Sequence, residues 1–153
     1  MAMKHYLGSL ARISDLGTRH FEVSPLPRAS WATGDYVVGE VIAAPRESNR
    51  IESTNGRDVE VTQGDLVVGA LGVRAATLGA VGSWEAVGED GVLEALTAAG
   101  LLGRSTSLAW QAPAMIRLSY RGHVARTGRK IVMKDFVPEL ETPPFGGPLL
   151  LII

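Results

Sequence analysis

The residue types best suited to chemistry in this sequence lie in one basic segment, residues 117–134. It contains six Lys and Arg residues and one His, with no Asp or Glu. Guanidinium and ammonium groups are the donors that bind phosphate and carboxylate oxygens. The segment therefore predicts an anion site, for a nucleotide phosphate or a nucleic-acid backbone. The residues assigned to it are Arg117, Arg121, His123, Arg126, Arg129 and Lys130, together with Arg74 from an earlier apolar stretch.

The same charges have a structural interpretation, which we favour. Two strand-like runs flank a turn at residues 127–129, and charged side chains on an exposed sheet edge prevent pairing with other chains. Strand alternation places Arg117, Arg121 and His123 on the face opposite Leu118. Under this interpretation nucleic acid is not the expected partner, and the charges are solvated or meet an acidic patch on a partner domain.

His123 and Arg74 each fit more than one role. His123 follows Gly122 at a tight turn, and we expect a structural histidine rather than a catalytic base, because the sequence identifies no second polar partner for it. Arg74 lies in an apolar stretch, and a buried guanidinium needs an anion. We expect Arg74 to pair with Asp35 or Asp65.

A short repeat is the most informative pattern in the chain. Gly-Asp-x-Val-Val-Gly occurs at 34–39 and again thirty residues later, at 64–69. Glycine permits a tight turn, and an Asp side chain accepts hydrogen bonds from the amides of that turn, so we assign Asp35 and Asp65 to structural turns. The two valines enter a sheet, and the closing glycine allows a bend. Two such units predict a small barrel, because glycine kinks turn strands at barrel corners.

The predicted fold is mainly β: a small glycine-rich β-barrel with this internal repeat and one short α-helix. The helix is expected near residues 91–99, because two acidic residues precede apolar residues at helical spacing and Gly100 follows them. We divide the chain into an N-terminal segment (1–30), the barrel domain (31–137), and a Pro/Gly linker with a terminal apolar strand (138–153).

Composition narrows the class of protein. Hydrophobic residues make up 46% of the 153 residues and charged residues 20%, which is typical of an ordered globular chain. Fifteen Lys and Arg against sixteen Asp and Glu give a net charge of -1, so no overall field attracts nucleic acid or anionic membranes. The absence of cysteine excludes disulfides, thiolate metal sites and cysteine nucleophiles. No metal motif or cofactor fingerprint is present, so we predict neither a metal nor a cofactor.

Targeting signals and the C-terminal residues narrow the class of protein further. No apolar run is long enough to cross a membrane, and the N-terminus lacks the apolar core of a signal peptide, so we expect a cytoplasmic protein with no membrane partner. The chain ends in Pro148-Leu-Leu-Leu-Ile-Ile153, which is typical of a fully buried strand. With Phe145 it forms an apolar surface that predicts a homo-oligomer or a partner protein.

The stretch PPFGGPLLLII at 143–153 resembles the lead-in to a P-loop NTPase, in which an apolar strand runs into the phosphate-binding loop. A small glycine-rich barrel before such a strand is similar to the barrel-then-ATPase arrangement of HerA/FtsK-like translocases and ATP synthase subunits. The resemblance covers the architecture of roughly residues 30–153 and no specific motif. It implies a barrel for oligomerisation or docking, while an NTPase carries the chemistry. The Lys-Ser/Thr of a Walker A loop is absent here.

These observations favour a non-catalytic β-barrel module for oligomerisation or partner docking, within a larger NTPase-type assembly. Two alternatives stay open. One is a small anion- or nucleotide-binding enzyme barrel that uses Arg74, His123 and the Asp turns. The other is a nucleic-acid-binding module that uses the basic segment.

Overall fold

Strands dominate the protein, as predicted. The computed structural model describes residues 5–76, 78–141, 143, 144 and 146–152. Its strands are β1 (His5–Leu7), β2 (Glu22–Ser24), β3 (Tyr36–Ala43), β4 (Arg50–Glu52), β5 (Asp58–Glu60), β6 (Leu66–Leu71), β7 (Val73–Ala76), β8 (Ala80–Ser83), β9 (Val92–Ala95), β10 (Leu101–Leu108), β11 (Arg117–Arg126) and β12 (Arg129–Lys130). Short 3-10 helices cover Ser9–Ala11, Arg28–Ser30, Trp84–Ala86 and Met133–Phe136. Within this described part, no helix has the length and apolar character needed to cross a bilayer.

Most of the strands belong to one strongly connected sheet. Hydrogen-bonded pairing runs from β6 through β3, β11, β9 and β10, and a parallel pairing joins β10 back to β6. From β10 the sheet continues through β8 to β7. Strand β1 lies parallel to β6, and β2 and β12 both pair with β11, while β4 and β5 form a separate hairpin.

The two copies of the Gly-Asp-x-Val-Val-Gly motif lie side by side, in β3 and β6. These strands are antiparallel, with Val38 opposite Val68. The turn before each strand makes the same two backbone hydrogen bonds to the end of the other: Gly34 N to Leu71 O (2.8 Å) and Leu71 N to Asp35 O (2.9 Å), and Gly64 N to Val41 O (2.9 Å) and Val41 N to Asp65 O (2.8 Å). A local two-fold axis between Val38 and Val68 therefore relates the hydrogen bonds of the two turns.

The core explains why β3 and β6 are apolar on both faces. Alternate residues of β3 enter different clusters: Val37 and Val41 pack with Leu93, Leu102 and Leu118 in the larger one. The smaller cluster, on the other side of these strands, contains Tyr36, Val38, Leu66, Val68 and Val124. Strands buried on both faces carry near-continuous apolar runs rather than alternation.

The N-terminal residues belong to this same structure. Strands β1 and β2 are hydrogen-bonded to β6 and β11, and Ala11 and Leu16 are buried in the smaller cluster. Strands β1 and β2 are therefore joined to the same sheet as β6 and β11, although the sequence sets residues 1–30 apart as a separate segment.

The predicted helix near 91–99 is wrong. Residues Val92–Ala95 form strand β9, which is antiparallel to both β10 and β11. Gly91 and Gly100 have φ angles of 62° and 87°, which mark turns on either side. Apolar residues at this spacing fit a short strand as well as a helix. Pairing with two neighbouring strands decides the conformation.

The predicted terminal strand is also absent from the described residues. Leu149–Ile152 have no regular structure, and their side chains are 75–86% exposed. Phe145 and Ile153, which the sequence adds to this apolar surface, lie outside the described residues.

Candidate functional site

A chain of hydrogen bonds through the core links Asp35, His123 and Tyr120. The Oδ2 atom of Asp35 lies 3.0 Å from His123 Nε2, and His123 Nδ1 lies 2.6 Å from the Tyr120 hydroxyl oxygen. That hydroxyl accepts a hydrogen bond from the Leu26 amide at 3.1 Å, which leaves its own proton to donate to Nδ1. The partners assign a neutral imidazole with its proton on Nε2, donated to Asp35.

Burial keeps this histidine neutral. The His123 side chain is fully buried, and this desolvation lowers its pKa from the ordinary 6.5, against the raising effect of the Asp35 carboxylate. The Trp31 ring packs against both Tyr120 and His123. Its centroid lies 4.5 Å from the centroid of the Tyr120 ring and 5.6 Å from that of the His123 ring.

Asp35 is the centre of the network. Besides His123, its Oδ2 accepts hydrogen bonds from Lys130 Nζ at 2.7 Å and from the Ala32 amide at 2.9 Å. Asp65, at the matching position of the second turn, accepts from the amide and hydroxyl of Thr62, at 2.8 and 3.2 Å. Both Asp side chains therefore bond to their own turns, but only Asp35 also reaches into the core.

A β-bulge places Tyr120 and His123 on the same side of β11. Residues three apart in a regular strand point to opposite faces, but the register of β11 against β3 shifts between Tyr120 and Gly122. Gly122 also allows β2 to approach, since a Cβ at this position would lie 2.8 Å from the Ser24 carbonyl carbon. The predicted position of His123, on the exposed face with Arg117 and Arg121, is therefore wrong.

The Asp–His–Tyr arrangement resembles an acid–base relay, but its groups face each other and not a substrate. Both imidazole nitrogens are occupied, and none of the three side chains lines a described cavity. A general base needs a proton to abstract within hydrogen-bond reach. We therefore assign the network to holding β11 against the turn that precedes β3.

Four of the six cations of the basic segment have carboxylate partners, and three of these partners come from distant parts of the chain. The ion pairs are Arg121 with Glu40, Arg126 with Asp15 (3.1 Å, bidentate), Arg129 with Asp135 (2.5 Å) and Lys130 with Asp35 (2.7 Å). Arg117 is exposed and lies opposite Glu94 in the register of β11 and β9. The positive charge that the sequence concentrates in one segment is therefore largely balanced in the folded protein.

The structure brings only some of the predicted anion-binding residues together. Arg126, Arg129 and Lys130 line a cavity of about 360 Å³, which Asp15 and Asp135 also line. The other residues assigned to the anion site do not line this cavity: they are Arg74, Arg117, Arg121 and His123.

The expected pairing of Arg74 with Asp35 or Asp65 is wrong. Its guanidinium donates a hydrogen bond to the Leu96 carbonyl instead, while the two aspartates bond to other groups. Arg74 lines the larger cavity, of about 640 Å³, between the β7–β8 turn, the end of β9 and residues 109–116. We call this cavity the β8 groove.

No group of three His, Asp or Glu side chains in the described part of the chain is placed to hold a metal ion. No known protein family, curated protein or solved structure matches this chain. The site is therefore interpreted from its own geometry.

The sequence carries no direct signal for the Asp35–His123 contact, which joins residues 88 positions apart. The glycine after Arg121 is the one local indication of the bulge that turns His123 inward. Two partners of the basic segment are similarly distant, because Asp15 and Glu40 lie more than 80 residues from Arg126 and Arg121.

Proposed function

We propose that this chain is a non-catalytic β-barrel module that assembles with a second copy of itself through its apolar tail, Leu149–Ile152. The observation that carries the proposal is the exposure of four consecutive large aliphatic side chains, each at least 75% accessible. Exposed contiguous apolar patches on soluble proteins mark interaction sites. The ring of pairings through β6, β3, β11, β9 and β10 supports a closed barrel as the rigid body that carries this tail.

The energetics favour a reversible assembly. Burying one Leu or Ile side chain contributes about 2 kcal/mol, so four contribute roughly 8 kcal/mol per tail. Association itself costs roughly 4–15 kcal/mol in lost freedom of motion. Two tails buried in a symmetric dimer contribute roughly 16 kcal/mol, which leaves about 1–12 kcal/mol after that cost. A micromolar dissociation constant, about 8 kcal/mol, lies within this range, and we take it as the working value.

An open sheet edge offers the main-chain partner that such a tail needs. Strand β7 ends the sheet path and pairs only with β8 among the described strands. A strand that buries apolar side chains must also satisfy its backbone groups, and addition to an exposed edge does both. We place the tail of one copy along β7 of the other.

The Pro/Gly linker favours a second candidate of the same class. Residues 138–141, 143, 144 and 146–148 are exposed and have no regular strand or helix, as expected of a connection between folded units. In the barrel-then-ATPase arrangement that the sequence resembles, the tail forms a strand of an adjoining NTPase unit. The barrel keeps its docking role in that case, and the second copy is not needed.

Hydrogen–deuterium exchange of the 153-residue chain at two protein concentrations tests the proposal. At concentrations about tenfold above and below a micromolar dissociation constant, the tail amides and those β7 amides that do not bond to β8 are protected in the concentrated sample and lose that protection on dilution. Amides of linker residues 139–141 exchange quickly in both samples and serve as the internal control. Rapid exchange of the tail at both concentrations overturns self-assembly.

A further inference from the structure

The β8 groove has the size and lining of a small-molecule site. Its volume of about 640 Å³ lies within the roughly 300–1,000 Å³ of ligand pockets. Small and apolar side chains form most of its lining, and they include Ala80, Leu96, Ala98, Ala112, Met115 and Ile116. Such a surface favours the apolar body of a ligand, while a few polar groups fix its orientation.

Arg74 is the polar group best placed to do this. It is half-buried, it donates to the Leu96 carbonyl, and no carboxylate in the described part of the chain forms an ion pair with it. A guanidinium has five N–H donors, so most of its donors stay available. Gly79 leaves room beside it, since a Cβ there would lie 3.2 Å from Arg74 Nη2.

The other charged groups of the groove differ from Arg74. Arg50 is exposed and pairs with Glu60 at 3.3 Å, and Glu47 is an exposed carboxylate that disfavours a second anion near it. An anionic ligand group therefore has one preferred position, at Arg74.

The rim of the groove carries unpartnered apolar side chains. Leu78, at the β7–β8 turn, is 96% exposed, and Trp110 is 90% exposed. A ligand body that lies along the lining contacts both of them. Aromatic and aliphatic side chains at the mouth of a pocket offer apolar surface that a bound ligand removes from water.

We infer that the β8 groove binds a small organic carboxylate with an apolar body, the carboxylate on Arg74 and the body between Leu78 and Trp110. This inference goes beyond the assembly role proposed above, and Arg74 belongs to β7, the strand along which that role places the tail of a second copy. An ammonium of the same shape is repelled by Arg74, and an alcohol gains no charge-assisted hydrogen bond.

The probes are decanoate, decanol and decylammonium, each compared below the micellar concentrations of the two ions and below the solubility limit of decanol. Titration calorimetry measures affinity, and fluorescence reports on the three tryptophans, of which Trp110 lines the groove. We expect decanoate to bind at least tenfold more tightly than decanol, and decylammonium more weakly than both. Arg74→Gln removes the preference for decanoate, whereas Arg57→Gln, an exposed arginine outside the groove, keeps it.

Several results overturn the inference. Equal affinities for decanoate and decanol exclude a role for Arg74, and so does an Arg74→Gln variant that keeps the tenfold preference. Absence of binding by all three probes excludes the site. The ligand series on the unmodified chain decides the matter even where Arg74→Gln fails to fold. A tail variant, Leu150→Asp, binds decanoate at least as tightly as the unmodified chain does, so failure of the assembly proposal is recognised separately.

Discussion

Asp35 and His123 are hydrogen-bonded at 3.0 Å although 88 residues separate them, and their side chains are 1% and 0% exposed. The contact joins the turn before β3 to the middle of β11, the strand that pairs with β2, β3, β9 and β12. Asp35 is also the partner of Lys130. Without this carboxylate, His123 Nε2 and Lys130 Nζ both lose an acceptor. Donors left unsatisfied inside a protein lower the free energy of unfolding by more than the hydrogen bonds themselves contribute.

The two turn aspartates are expected to differ strongly in their contribution to stability. Asp35→Asn removes the charge that His123 and Lys130 face, and we expect it to lower the free energy of unfolding by about 3 kcal/mol. Asp65→Asn keeps a side chain that caps the turn equally well and is expected to cost less than about 1 kcal/mol. Urea denaturation of both variants measures the difference. Equal losses would show that the core network contributes nothing beyond the turn.

Stability is expected to fall as the pH drops below 6.5, the ordinary pKa of histidine. Burial lowers the pKa of His123 in the folded protein, so the unfolded state binds more protons below that pH. The free energy of unfolding then decreases by at most about 1.4 kcal/mol per pH unit. Denaturation between pH 7 and 5 checks this, and His123→Gln flattens the dependence. Burial also lowers the pKa of His5, but His5 is present in both the unmodified chain and His123→Gln, so it does not account for a difference between their slopes. An unchanged slope in His123→Gln contradicts the assignment.

Two neighbouring arginines of the basic segment are expected to behave differently. Arg126 and Asp15 form a bidentate pair with side chains only 25% and 24% exposed, so Arg126→Ala is expected to cost about 1.5 kcal/mol. Arg129 is 75% exposed, and Arg129→Ala is expected to cost less than about 0.5 kcal/mol. A double-mutant cycle with Asp15→Ala isolates the contribution of the Arg126–Asp15 pair.

The same pair depends on pH. The Arg126 hydrogen bond lowers the pKa of Asp15, so the stability that the pair contributes is lost as the pH falls below 3.8.

The basic segment is not expected to bind nucleic acid at physiological salt. Four of its cations are already paired within the chain, and few remain to displace counterions from phosphates. Fluorescence anisotropy with a labelled oligonucleotide measures this. Binding that weakens steeply with salt and is lost in Arg117→Ala would identify a phosphate contact and overturn the expectation.

Local sequence patterns predict the strands and turns of this fold well, and its long-range contacts poorly. The Gly-Asp turns and the strands after them follow from residues adjacent in sequence, as does the hairpin turn at Asn55-Gly56, where Gly56 has a φ of 80°. Residues 92–95 mislead because so short a segment has no reliable hydrophobic period, and the neighbouring strands decide its conformation.

The candidate sites show the same division. Arg74 is recognisable from sequence as a cation in an apolar stretch, but its neighbours in the groove come from several separate segments: residues 47, 48, 50, 78–80, 95–98 and 109–116. The charge of the basic segment is visible in sequence, whereas its neutralisation depends on Asp15 and Glu40, which only the fold brings close. Charge patterning along a chain therefore overestimates the net charge of a folded surface.

Sedimentation velocity of the full chain over a micromolar concentration series tests the assembly proposal most directly. The unmodified chain is expected to shift from monomer to dimer, and Leu150→Asp with Leu151→Asp is expected to stay monomeric with an unchanged melting temperature. Leu140→Asp changes an exposed leucine outside the tail and is expected to dimerise normally. A monomer at all concentrations for the unmodified chain, or a dimer that survives the two tail substitutions, would contradict the proposal.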